Sequence, residues 1–276
     1  MTYSTLMVCL QPGEANAGLL AVVGELAERF KASVVGLVAR LPMQHMFSGN
    51  LVPEALIEQE NATFQDQADA LEAQFSEALK GRARDLEWRA KMAVGPLSDY
   101  VAGETRCADL VIAQVDGGSV FTRPSIHLDV GDLVMKAGRP VLVVPAGADH
   151  LKLDRVVVAW KETAESRRAA SDALPLLKAA GAVIVTSAAG ETQSIATRSR
   201  LDDVVAWLGR HGVAAESVPA DSSGDEARAL MQIALDRGAD LIVAGAFSQS
   251  SLREWVFGGV TRDLLQRSER FTLLSH

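Results

Sequence analysis

The segment Ala108-Asp109-Leu110-Val111-Ile112-Ala113 recurs later in the chain as Ala239-Asp240-Leu241-Ile242-Val243-Ala244. In the same register, and more loosely, Arg139-Pro140-Val141-Leu142-Val143-Val144 recurs as Arg270-Phe271-Thr272-Leu273-Leu274-Ser275. Near the start of each half, Leu6 to Leu10 matches Val156 to Trp160 with a larger offset, so the first half holds an insertion. Leu41 to Pro53, with its Pro, Gly and Asn breakers, is the expected place. Self-similarity on this scale means a duplicated supersecondary unit. A length of 276 residues also suits two domains, expected at 1–147 and 151–276 and joined through Pro145 to His150.

Each half reads as strands and helices in alternation. In the first, strands are expected near Thr5–Leu10, Ser33–Ala39, Leu86–Lys91, Leu110–Gln114 and Val141–Val144. Its helices are expected near Ala15–Phe30, Glu54–Leu79, Leu97–Arg106 and Asp129–Ala137. In the second, strands are expected near Arg155–Trp160, Ala182–Ser187, Ala214–Val218, Asp240–Ala244 and Phe271–Leu274. Its helices are expected near Glu165–Ala180, Ser194–His211, Asp225–Arg237 and Val260–Gln266. Continuous apolar strands such as Val156-Val157-Val158-Ala159 are what a parallel sheet covered on both faces requires. The expected fold class is therefore α/β: two tandem doubly wound domains, each a parallel sheet flanked by helices.

Composition excludes several functions. A formal charge of −8, with the acidic excess mostly in the first half, argues against nucleic acid as a partner and makes the second half the better place for an anion. Two cysteines, Cys9 and Cys107, are too few for a disulfide framework or a metal knuckle, and Cys9 sits in an apolar run that reads as core. No signal pattern or spanning apolar run is present, so a cytoplasmic protein with no membrane partner is expected. Walker-type, dinucleotide-type, nucleophile-elbow and zinc spacings are all missing, and the five histidines are dispersed. No catalytic or metal residues are assigned. Trp207 sits near Val204, Val205 and Leu208 at helical spacing and reads as core-facing.

In such sheets a ligand binds beyond the carboxyl ends of the strands, where the winding reverses. The stretch after the fourth strand of the second half runs Gly245-Ala246-Phe247-Ser248, then Gln249 to Phe257, then Gly258-Gly259-Val260-Thr261-Arg262. Glycines there let backbone N–H groups approach an oxyanion, and a following helix N-terminus adds its positive end. The plainer reading is a loop with a capped helical piece, Ser251-Leu252-Arg253-Glu254, ended by Gly258-Gly259.

The segment Gly245 to Leu265, with Leu252-Arg253-Glu254 and Gly258-Gly259-Val260-Thr261-Arg262, resembles the signature end of the universal stress protein family, in its tandem two-domain form. The resemblance is strong in the second half and weak in the first. It implies a five-stranded parallel sheet per domain and, in many members, a site for AMP or for ATP with Mg. The family's phosphate-binding pattern is Gly, two residues, Gly, nine residues, Gly, then Ser or Thr. Gly245 and Gly258 fill its first and third positions, while Ser248 and Gly259 depart at the second and fourth. Val260 and Thr261 follow, and Thr261 supplies a neighbouring hydroxyl. Binding members carry an Asp after the first strand, where this chain has Ala159, Trp160 and Lys161. A lysine cannot accept from ribose hydroxyls but can pair with a phosphate. In the first half Gln114, Gly117, His127 and Leu128 occupy the corresponding positions, and the side chains of His127 and Leu128 would occupy the space a triphosphate needs, so no nucleotide is expected there. The resemblance also implies an intramolecular pseudo-dimer, with homodimerisation of the chain left open.

Three readings follow. The leading one is a cytoplasmic stress-response protein acting by binding, with a nucleotide site in the second half. The alternatives are an interaction scaffold with both sites degenerate, and a nucleotide hydrolase. Enzyme status ranks last, with weak ATP hydrolysis at most, because no nucleophile or acid–base pair with an orienting partner can be named.

Overall fold

The structure, a computed structural model, describes residues 2–42, 53–114, 128–189, 194–221, 226–246 and 270–276. It divides into two compact units. One comprises Thr2–Arg139 with Ala146–His150, the other Leu151–His276 with Pro140–Pro145.

The first unit alternates β1 (Thr5–Leu10), α1 (Ala17–Phe30), β2 (Ser33–Arg40), α2 (Glu54–Leu79), β3 (Leu86–Met92), α3 (Leu97–Glu104), β4 (Leu110–Gln114) and α4 (Val130–Ala137). Its strands lie in the order β3-β2-β1-β4, and every pairing is parallel. β1 and β4 are buried almost throughout, as expected for strands covered on both faces. Helix α2 presents Phe64, Ala68, Leu71, Phe75 and Leu79 at three- and four-residue spacing, and this stripe is buried. Phe75 meets Trp88 of β3 with ring centroids 5.4 Å apart. The contact needs Gly36 of β2, where a Cβ would lie 2.7 Å from the Trp88 ring and 2.9 Å from that of Phe75.

The second unit contains β5 (Val141–Val144), β6 (Arg155–Ala159), α5 (Ala164–Asp172), α6 (Leu174–Ala179), β7 (Ala182–Thr186), β8 (Ala188–Ala189) and α7 (Ser194–Arg210). It continues with β9 (Ala215–Ser217), β10 (Ala220–Asp221), α8 (Glu226–Asp236), β11 (Leu241–Gly245) and β12 (Phe271–Ser275). The main strand order is β5-β12-β11-β6-β7-β9. All these pairings are parallel except β5 with β12, where Leu142 faces Leu273 in an antiparallel register. β8 and β10 form a separate parallel pair. Both units thus give an α/β fold with a mostly parallel sheet flanked by helices.

One expected helix differs. Glu165–Ala180 is not continuous but breaks at Ala173 into α5 and α6. Pro175 has no N–H to donate and its ring crowds the preceding turn, so it is accommodated at the start of a new helix. The expected helix Val260–Gln266 and most of the insertion Leu41–Pro53 lie outside the described residues.

The repeated Ala-Asp pair has a concrete structural role. Asp109 Oδ2 accepts from the backbone N–H groups of Ser4 (2.8 Å) and Thr5 (3.0 Å), at the entry of β1. Asp240 Oδ2 accepts from that of Arg155 (2.9 Å), at the entry of β6. Each aspartate also donates its own N–H across, to Thr5 O and Arg155 O, both at 2.9 Å. The side chain therefore locks the first and fourth strands of each repeat in register at their amino ends. The carboxyl ends, where the loops are longer, are left for a ligand.

Candidate functional site at the strand ends of the second unit

β6 is the strand at which the winding reverses. The chain moves from β6 outward to β7 and β9, then returns across to β11 on the other side. Ala159 faces Ala244 across the β6–β11 ladder, which brings Trp160, Lys161 and Gly245 to one end of the switch point. Four of the sequence-predicted residues, Ala159, Trp160, Lys161 and Gly245, are thus gathered at one end of the sheet. Ser248, Gly258, Gly259, Val260 and Thr261 lie outside the described residues.

Lys161 is exposed. Its Nζ pairs with Glu226 Oε2 at 3.1 Å, in the first turn of α8, and its backbone N–H donates to Ser166 Oγ at 3.2 Å. Glu162, the neighbouring acid, accepts from the Trp160 indole N–H at 2.9 Å. Both loop side chains are committed locally, but in solvated pairs that a stronger partner can displace.

Gly245 has a role that sequence spacing did not reveal. A Cβ at this position would lie 2.5 Å from Ser166 N, 2.6 Å from the Glu165 carbonyl carbon and 2.9 Å from Glu165 Cβ. The first turn of α5 therefore rests directly on the end of β11. Thr163 caps that turn, its Oγ1 accepting from Ser166 N at 3.3 Å. Partial burial pushes the Glu165 carboxyl up, but its own backbone N–H, the Thr163 hydroxyl and the nearby His276 and Arg168 charges outweigh it. Glu165 is held below the ordinary carboxylate range.

Two buried hydroxyls, Thr186 Oγ1 and Ser275 Oγ, have no hydrogen-bond partner among the described residues. Thr186 ends β7 opposite Ala159, and Ser275 ends β12 opposite Gly245. Each is about 1 % exposed. Unmet buried hydroxyls are uncommon and costly, and these two stand at the carboxyl ends of the strands that flank the β6–β11 pair, one on each side. Sequence reasoning missed both; each sits one or two residues past an apolar run, which is the available signal.

The corresponding end of the first unit is built differently. Register places Gln11 where Lys161 stands, and Gln11 is buried. Its N–H donates to Asn16 Oδ1 at 3.2 Å, while Asn16 Nδ2 donates to Gln11 O (2.9 Å) and Glu14 O (3.0 Å). Gln11 Nε2 reaches Gln114 O at 3.5 Å. Leu128 is buried, whereas Gly117 and His127 lie outside the described residues.

No group of three His, Cys, Asp or Glu side chains suited to a metal occurs among the described residues. No described helix is long and apolar enough to cross a membrane.

Residues 152–274 match the sequence profile of the universal stress protein family. Among solved structures, the chain resembles a universal stress protein from Archaeoglobus fulgidus DSM 4304. The identity is 14%, 99% of this chain and 98% of that one are covered, and the TM-score is 0.76. It also resembles a functionally unknown protein from Pseudomonas aeruginosa PAO1, at 15% identity, with coverage of 99% and 92% and a TM-score of 0.64. At such identities the likeness establishes the fold, over both halves. No curated protein matches the chain.

Proposed function

We propose, from the universal stress protein domain that residues 152–274 form, that this chain is a stress-response protein that acts by binding a nucleotide, ATP or AMP, in its second unit. The observation that carries the reading is the combination of that family match with the polar strand ends around the β6–β11 switch point. Lys161 offers a cation for a phosphate, and the Thr186 and Ser275 hydroxyls lack partners among the described residues. The start of α5, beside Gly245, adds the positive end of a helix. Mg would arrive with ATP, through the phosphate oxygens.

Gly245 supports this less directly than the motif suggests, because the space a Cβ would fill belongs to α5. That observation favours the scaffold as the second reading, since the spacing of the motif then has a packing cause at its first position. A ligand that binds only the native state raises the melting temperature, which separates the two. The expected result is a rise with ATP or AMP that Gly258→Val abolishes and Gly117→Val leaves intact. Equal loss in both variants overturns the assignment of the site to the second unit. If ATP, ADP and AMP all leave the unaltered protein unshifted, the scaffold reading replaces it.

A further inference from the structure

A cavity of about 410 Å³ lies in the second unit, lined from the end of β6, from α5 and from α7, and Gly245 is not among its lining residues. Its origin is topological. β6, β7 and β9 follow one another outward in a parallel sheet, and right-handed crossovers put α5 and α7 on the same face. Helix α5 packs over β11 and β12, while α7 packs over β7 and β9. β6 runs between these two footprints, and Trp160 stands at its end. In the first unit the 26-residue α2 packs against α1.

The lining has a definite chemistry. Trp160 and Trp207 are both half-buried and make no ring contact with each other among the described residues. Trp207 was expected to face the core; instead it lines this cavity and leans on the His211 ring at 4.6 Å. Val204 is the buried apolar floor. Arg200, Asp203, Val204 and Trp207 fall at helical spacing along one face of α7. Opposite them, Glu162 is already engaged by the Trp160 indole and stands 3.9 Å from Arg167. Arg200 and Asp203 are exposed and carry no hydrogen bond or ion pair among the described residues. The cavity therefore offers indole surface, one free guanidinium and one free carboxylate.

We propose that this cavity between α5 and α7 binds a zwitterionic aromatic small molecule of the free aromatic amino acid class. The ring would lie against the indoles, the carboxylate on Arg200 and the ammonium on Asp203. A ligand that carries both charged groups on one carbon matches two opposite charges three residues apart on one helix, whereas a purely anionic or cationic ligand leaves one of them unmet. The cavity volume falls in the range of small-molecule sites. The inference goes beyond the nucleotide reading and does not rest on it.

Isothermal titration of the full chain with L-tryptophan and L-phenylalanine tests the proposal, with phenylacetate, phenethylamine and L-alanine as probes lacking one feature each. Saturable one-to-one binding of both amino acids is expected, weakened at least about tenfold for each incomplete probe, as the loss of a charge-assisted contact implies. Arg200→Gln and Asp203→Asn should each weaken L-tryptophan at least about tenfold without altering the melting temperature, because both side chains are exposed and have no partner among the described residues. Trp207→Ala should do the same, and its folding is checked by circular dichroism. The proposal is overturned if neither amino acid binds saturably, if Arg200→Gln and Asp203→Asn leave binding unchanged, or if phenylacetate binds as well as L-phenylalanine. Competition by ATP would also overturn it, by assigning the cavity to the nucleotide site; a nucleotide-induced melting shift that survives Arg200→Gln keeps the two sites distinct.

Discussion

Replacing Gly245 by alanine separates a packing role from a ligand role, because the two act in different states of the protein. The new Cβ would stand 2.5 Å from Ser166 N and 2.6 Å from the Glu165 carbonyl carbon. Both are backbone atoms of a capped first turn, so no flexible side chain can swing aside. Restoring an ordinary contact of 3.4 Å requires the start of α5 to retreat by about 0.9 Å. Overpacking of this kind costs about 1 to 3 kcal/mol, against about 0.5 to 1 kcal/mol recovered by restricting the unfolded chain. The difference of the two ranges is about 0 to 2.5 kcal/mol, and because backbone and not a side chain must move, the expected loss is about 1 to 2.5 kcal/mol, a fall in melting temperature of about 2 to 10 °C. Gly209, in α7 with nothing within 4 Å of its would-be Cβ, is the control. There alanine should stabilise by about 0.5 to 1 kcal/mol through helix propensity alone. Both variants are measured by thermal unfolding without nucleotide. If Gly245→Ala unfolds at the parental temperature yet loses a nucleotide-induced shift, the contact with α5 is not what requires glycine, and the phosphate motif is.

Three further outcomes are expected. Asp109→Ala and Asp240→Ala should each cost about 1 to 3 kcal/mol in urea unfolding, since each strips the acceptor from strand-entry N–H groups; a loss under about 0.5 kcal/mol would show that water serves those groups equally well. Burial pushes the Cys9 thiol up to about 12, whereas Cys107 is exposed, so a disulfide reagent at pH 8 should modify one cysteine in the native protein and both after denaturation. Two equivalents at equal rates in the native state would contradict the burial of β1. Glu104 is raised by partial burial but lowered further by hydrogen bonds from Arg106 and Arg89, and Asp132 is likewise raised by burial but lowered further by Lys136 and Ser98. Depressed carboxylates contribute stability that is fully present above their unfolded values, near pH 4, and lost as the pH falls through the folded ones. Glu104→Gln and Asp132→Asn should therefore flatten the acid limb of the stability curve, and an unchanged limb would show the pairs to be idle.

The strands were legible because burial on both faces demands apolar runs, and a duplicated run announces itself. β4 and β11 begin within a residue of their expected starts for that reason. The same repeat flagged Asp109 and Asp240, yet their work was invisible, because an acceptor for the N–H of a distant strand entry leaves no local pattern. The break in the first helix of the second unit is legible in Pro175, although the surrounding helical periodicity runs through it. Gly245 was assigned to a phosphate because motif spacing carries no information about what lies above a residue. That depends on the loop before α5, which has four residues from Trp160 to Thr163, where the first unit uses six from Gln11 to Asn16. Trp207 was placed in the core because helical spacing identifies a buried face but not whether a neighbouring helix closes over it.

Loop length also explains how the two copies of one unit came to differ at their strand ends. In the first, six residues give Asn16 the reach to fold back and bond the Gln11 backbone from both sides, and the Gln11 side chain turns inward. A polar crevice is thereby satisfied by the chain itself, and Gln114 can carry a side chain where the second unit requires glycine. In the second, four residues bring α5 down onto β11, and Lys161 is left in solvent, where its ammonium pairs with Glu226. Thr186 and Ser275 are then left without partners among the described residues. A crevice whose polar groups are met internally gains nothing from a ligand, whereas one that retains unmet groups does. The asymmetry at Gln11 and Lys161 is therefore the physical reason to look for binding in the second copy. Exchange of the two connections is its direct test. Placing Gln11–Asn16 between Trp160 and Ala164 should abolish any nucleotide-induced melting shift, and a shift that persists would mean that the strand-end loop does not decide which copy binds.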